Sequence, residues 1–335
     1  MNWVVLVGAA LLVANTALVA VIAAQSWYGV RRLRRHDELV ARLRHPAVEM
    51  VDGDPPAEPP PLARNEARVF AELLARYSRQ VRGGPQERIV AYCEAHGLVD
   101  QELRRLESRR AWRRARAAFT LGDFGARRAV PALVRHLDDR SAEVRAAACR
   151  SLGNLGAVDA VPAVIDARVA ARVPGAVAKL ALLDIGPAAV AVLITLADDE
   201  EPLVRAAVVQ LVGLLGGAAD AAAIQGRLSD PAAPVRVATA TALGRLGARE
   251  ARDDLVTALA DRVPGVRTAA AEALGGIGGR QAVDALLPLA RTDEFEPARA
   301  AAEAVARADP ALVVRAAEAP DAGPHLREAA GRVAL

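Results

Sequence analysis

The chain has 335 residues, 53% of them apolar and only 3% aromatic, with 43 basic and 40 acidic side chains for a net charge of +3. Two cysteines, Cys93 and Cys149, lie far apart with neither a CxxC partner nor a His at metal spacing, which fits a reducing compartment rather than a disulfide framework. The charge is uneven: residues 31–128 carry 21 Arg against 14 acids, residues 129–335 carry 22 basic residues against 26 acids, and Lys179 is the only lysine.

No charge stands between Asn2 and Val30, and Trp3–Ala24 is a nearly all-apolar run of 22 residues. A membrane helix needs about 20. Trp3 at one end and Trp27 and Tyr28 at the other take the places of interfacial aromatics, and Arg31, Arg32, Arg34 and Arg35 follow at once. A cleaved signal peptide fits less well, because no basic segment precedes the run and the Arg cluster resists export. Residues 1–30 therefore read as a single-pass anchor in the inner (cytoplasmic) membrane. By the positive-inside rule the N-terminus faces out and the rest of the chain is cytoplasmic.

Residues 31–45 continue a helical pattern, with Leu33, Val40 and Leu43 on one face and six Arg around it. This basic juxtamembrane helix is placed to touch anionic lipid, each Arg near the surface contributing about 1 kcal/mol. Residues 46–62 contain six prolines and read as a semi-stiff extended spacer. Residues 63–97 predict a two-helix cap, from the apolar spacing of Val69, Phe70, Leu73, Leu74, Tyr77 and Val81 and then of Ile89, Val90, Tyr92 and Cys93. An open solenoid end needs such an atypical unit, since its outer face meets water.

From residue 98 to 335 one phrase dominates. It reads LGDFG (121–125), LGNLG (152–156), LLDIG (182–186), VGLLG (212–216), LGRLG (243–247) and LGGIG (274–278). The copies are 30 or 31 residues apart, a period that signals stacked helical pairs. In each unit a short apolar helix leads through an Asp turn to an Ala-rich helix opening with Val-Arg. A closing Gly suits the αL position that stops a helix. Asp and Arg recur six residues apart as Asp139–Arg145, Asp199–Arg205, Asp230–Arg236 and Asp261–Arg267. We read these as a structural ladder in which Asp caps the helix ahead and Arg braces the turn or a neighbouring Asp. The third unit has Val169 and Gly175 at these places, so the ladder has a gap or bend there.

The D-x5-R spacing and the VRxxAAxxLGxLG phrase resemble bacterial HEAT repeats of the short type found in phycobilisome lyases, over about residues 98–335 and seven units, the last degenerate. The resemblance implies an all-α, right-handed α-solenoid whose Val-Arg helices line the inner surface. That family includes chromophore lyases, scaffolds and nucleic-acid glycosylases, so function must come from the residues.

Few residues point to chemistry. The five His (His36, His45, His96, His136, His325) are scattered, no strand-borne phosphate or nucleophile motif is present, and no metal or cofactor set can be assembled. Two registers along the second helices, Phe119, Arg150, Leu180, Gln210, Thr241, Glu272 and Asp123, Asn154, Asp184, Leu214, Arg245, Gly276, are not basic, so no nucleic acid is expected. The one local concentration is Arg104, Arg105, Arg109, Arg110, Arg113 and Arg116 around Trp112, either a solvated face or a docking patch for an acidic protein surface or anionic lipid. The expectation is a non-catalytic, membrane-anchored scaffold that binds membrane-associated proteins on its repeat surface. A lyase-like enzyme and a module that binds an anionic ligand are the alternatives.

Overall fold

The computed structural model describes residues 15, 16, 19, 27, 31, 34, 36–51, 62–78, 84–292 and 294–333. Every regular element among them is helical. The chain divides into two compact units, residues 1–105 with 123–126, and residues 106–122 with 127–335.

The first unit holds a helix over 36–51 followed by α1 (Arg64–Ser78), α2 (Gly84–Ala95) and α3 (Leu98–Leu106), which runs to its boundary. Its core joins Leu43, Ala47, Met50 and Val51 to Phe70, Leu74, Ile89, Tyr92 and Cys93, all buried. Phe70 and Tyr92 meet edge to face at 5.2 Å. The spacer expected over 46–62 begins later than the prolines suggest, because the helix continues through Pro46 to Val51. Burial of Leu43, Ala47, Met50 and Val51, at spacings of four, three and one, outweighs the loss of one backbone donor at Pro46. Arg88 then binds the carbonyls left open at the helix end, Met50 O at 3.0 Å and Val51 O. Most of the expected anchor, with Trp3 and Tyr28, lies outside the described residues, as do Arg32 and Arg35 of the juxtamembrane segment; where the two meet, the Arg31 guanidinium sits 3.8 Å from the Trp27 ring centroid.

The second unit is a row of helical pairs. Its second helices are α4 (Ala111–Phe124), α6 (Ala142–Asn154), α8 (Gly175–Ile185), α10 (Pro202–Leu215), α12 (Ala233–Leu246), α14 (Pro264–Ile277) and α16 (Phe295–Ala308). The first helices between them are α5 (Val130–Arg135), α7 (Val161–Val169), α9 (Val190–Thr195), α11 (Ala221–Gln225), α13 (Arg252–Ala258) and α15 (Arg280–Thr292). A further pair, α17 (Pro310–Ala317) and α18 (Pro324–Val333), extends the array by one unit beyond the expected seven. Its own phrase is absent, but Val313, Ala316, Leu326 and Ala329 still supply a buried face. Five of the six closing glycines take positive φ, as at Gly247 (φ 65°) and Gly278 (φ 70°), the exception being Gly216 (φ -81°).

Neighbouring second helices pack side by side: α6 on α8, α10 on α12, α12 on α14 and α14 on α16. The first glycine of the phrase allows this. A Cβ on Gly213 would stand 2.6 Å from Ala242 Cβ, on Gly244 2.7 Å from Ala273 Cα, and on Gly275 2.6 Å from Ala304 Cβ. Gly153 abuts the Ala181 backbone in the same way. The third repeat has Leu183 where the others have glycine, and there the row is broken: α8 and α10 barely touch, and α10 packs instead on α7.

One stretch of the described residues, Gly175–Asp198, is long and apolar enough to cross a membrane, with a mean hydropathy of 2.2. It is folded here as α8 and α9, with the chain turning at Gly186 (φ 79°) and Pro187.

Candidate functional site

The ladder residues come first, because they position the surface. Arg205 donates to both carboxylate oxygens of Asp230, at 2.8 and 2.9 Å, and Arg236 to both of Asp261, at 2.7 and 3.0 Å. Arg114 does the same with Asp139, both at 2.7 Å. Each Arg thus reaches the Asp of the following repeat, 25 residues on, not the one six residues before it. Its remaining nitrogen braces its own turn: Arg205 binds Asp199 O at 2.7 Å, Arg236 Asp230 O at 2.9 Å, and Arg145 Asp139 O at 2.9 Å. Each Asp in turn accepts the N–H two residues on, as Asp139 does from Ser141 (2.7 Å), Asp199 from Glu201 (2.8 Å), Asp230 from Ala232 (2.9 Å) and Asp261 from Val263 (2.8 Å).

The electrostatics follow the pairing. The Arg205 hydrogen bonds hold Asp230 below the usual carboxylate range, and those of Arg236 do the same for Asp261, against the opposing effect of burial. At Asp139 burial is the largest influence and pushes upward, but Arg114 and the Ser141 N–H together outweigh it and the group is lowered. The ladder fails where the third repeat departs. With no Asp there, Arg145 turns to the carbonyl of Arg172, and Arg172 pairs with Asp138 and Asp166. The turn is made by Ala171 at φ 54°, the one non-glycine with positive φ among the described residues. At the far end Arg267 meets Glu294 at 3.3 Å.

The arginines around Trp112 fall into two groups. Arg104 and Arg105 lie on α3 in the first unit, where Arg105 pairs with Glu102. Arg109, Arg110, Trp112, Arg113 and Arg116 belong to the second unit and are exposed. Trp112 is 55% exposed and Arg113 stands 5.2 Å from its ring centroid. One repeat unit along, Arg150 on α6 stands 5.5 Å from the ring of exposed Phe119 on α4. Arg114, seventh of the local arginines, is buried in the ladder instead. Large apolar side chains continue on the second helices: Leu180 on α8 is 59% exposed and Leu203 on α10 57%. Sequence reasoning named Phe119, Arg150 and Leu180 only as a register that fails to be basic. The large apolar residues of that register, Phe119 and Leu180, are both exposed.

Both thiols are fully buried, and burial pushes Cys93 and Cys149 up to about 12, so neither is a nucleophile at neutral pH. Among the described residues no group of three or more His, Cys, Asp or Glu could hold a metal ion.

Residues 101–174 and 221–307 match the family model described as HEAT repeats. These two segments are HEAT repeats. The unmatched stretch between them includes α8 and α10, and between these two helices the ladder pair and the glycine contact are both missing. Among solved structures the chain is similar to human deoxyhypusine hydroxylase in complex with glycerol, at 21% identity over 81% of this chain and 97% of that one, with a TM-score of 0.33. It is similar to an engineered protein at 21% identity over 80% and 84%, with a TM-score of 0.38. It is also similar to the CpcE–CpcF complex of phycocyanin lyase from Nostoc sp. PCC7120, at 23% identity over 83% and 97%, with a TM-score of 0.27. No curated protein matches the chain.

Proposed function

We propose that this protein is a non-catalytic scaffold that captures partner proteins on the exposed face of its second helices, beginning at α4 and α6, and that residues 1–30 anchor it in the cytoplasmic membrane with the HEAT array inside. The observation that carries this reading is the pair of solvent-facing rings with guanidinium groups over them, Trp112 under Arg113 and Phe119 under Arg150. Large aromatics and Arg are the residue types that dominate binding energy at protein interfaces. A ring left in water gains by being covered, and a solenoid offers a long surface on which to cover it. The Arg-rich segment ahead of the array would lie against anionic headgroups and keep the array near membrane-bound partners.

The test places a photo-crosslinking amino acid at Phe119 in the full-length protein in cells, with Gln281 on α15 as the control position. A small set of membrane-associated proteins captured from position 119, absent from position 281 and lost when Arg113 and Arg150 become Glu, is the expected result. Equal capture at both positions, or none at either, contradicts the reading.

A further inference from the structure

The break in the array opens a cleft of about 240 Å³, lined by side chains from four helices: Arg168 of α7, Lys179 of α8, Gln210 and Leu214 of α10, and Thr241 and Arg245 of α12. The cleft lies where Leu183 replaces glycine and α8 and α10 barely touch.

Three of the lining residues are cations. The ladder arginines nearby each find a carboxylate or a carbonyl, yet among the described residues Arg168, Lys179 and Arg245 make no ion pair. Arg168 is half-buried, and burial alone draws its guanidinium below its ordinary value, with no acid beside it to offset the loss of water. A partly desolvated, unpaired guanidinium is unfavourable unless something anionic completes it. Gln210 adds an amide with no hydrogen bond among the described residues, while the Thr241 hydroxyl already donates to Val237 O at 2.9 Å and so offers only lone pairs. Leu214 supplies an apolar wall.

We propose that this cleft binds a small phosphorylated molecule. Half-buried Arg168 and exposed Lys179 and Arg245 line a space smaller than the 300 Å³ or more typical of drug-sized ligands. A phosphate or pyrophosphate group matches the forked donors of Arg and the summed charge, and a short carbon body fits the Leu214 wall. This site is independent of the scaffold reading: it uses none of Trp112, Arg113, Phe119 or Arg150.

The experiment uses full-length protein in neutral detergent, titrated calorimetrically with inorganic phosphate and with pyrophosphate at constant ionic strength in chloride. Saturable binding is expected, tighter for pyrophosphate, weakened at least tenfold in Arg168→Gln and in Arg245→Gln, and unchanged in Arg249→Gln, an exposed arginine that does not line the cleft. Because Lys179 is the only lysine, reductive 13C-dimethylation gives it a resolved NMR signal apart from the N-terminal amine and keeps its charge. That signal should shift with pyrophosphate in the unmutated protein, so the test does not depend on a variant folding. No saturable binding, a stationary Lys179 signal, or equal weakening in Arg249→Gln overturns the proposal. So does binding of an Asp/Glu-rich peptide with the same variant dependence when pyrophosphate does not bind.

Discussion

Between α10 and α14 each repeat is tied to the next twice, by a two-pronged Arg–Asp pair and by a glycine that lets backbones meet; between α8 and α10 both ties are missing. The two devices coincide between α10 and α12 and between α12 and α14, but they are separable: between α6 and α8 the Gly153–Ala181 contact stands without an Arg–Asp pair. Where Leu183 stands for glycine and Gly175 for arginine, neither contact is made. A buried ion pair adds little net stability over well-packed apolar residues, but losing one partner is costly. The ladder is therefore best understood as setting register, with burial of Val, Leu and Ala supplying the stabilisation.

The sharpest way to break the comparison is to strand a buried guanidinium. Asp230→Ala leaves Arg205, itself 8% exposed, without its carboxylate and should cost about 3–5 kcal/mol in urea unfolding. Asp199→Ala, whose carboxylate accepts only the Glu201 N–H among the described residues, should cost roughly 1 kcal/mol. Equal losses would mean that the ladder does not distinguish the two regions. Gly213→Ala places a Cβ 2.6 Å from that of Ala242 and should cost about 1–3 kcal/mol despite alanine's better helix propensity, whereas Leu183→Ala, at the open junction, should cost less.

Acid should erase the difference. Asp139, Asp230 and Asp261 are depressed in the folded state, so the unfolded chain binds their protons first as pH falls. Their contribution is complete above the unfolded value near 4 and is lost as pH drops through the lower folded values. Urea midpoints of the unmutated protein should fall below about pH 4, and Asp230→Asn should show a shallower fall; parallel curves would contradict the assignment. The smallest effect is at the turn beside the break. Ala171→Gly relieves a left-handed alanine and should raise stability by about 0.5–1 kcal/mol, read as a small rise in melting temperature.

Much of the array was legible, because a 30-residue period in glycine and Val-Arg reports a repeated contact rather than a local preference. Even the break was visible, in Val169, Gly175 and LLDIG. Two things were hidden. Spacing along the chain ties Asp230 to Arg236, whereas the carboxylate partner is Arg205 of the repeat before; the same periodicity allows either pairing, and only the helix crossing chooses. The cleft was hidden for the related reason that Arg168, Lys179 and Arg245 come from three helices of two repeats, at different register positions, so no single register displays them together. The helix through Pro46 was missed because proline content outweighed a short apolar face in the reading.

The central claim is that the array is one structure in two cooperative blocks that meet between α8 and α10. Native-state hydrogen exchange by mass spectrometry tests it directly, since exchange groups follow cooperative units. The account predicts that amides of α6 and α8 share one opening free energy, that those of α12 and α14 share another, and that Gly244→Leu lowers only the second. A single opening free energy for all four helices, lowered together by Gly244→Leu, would contradict it.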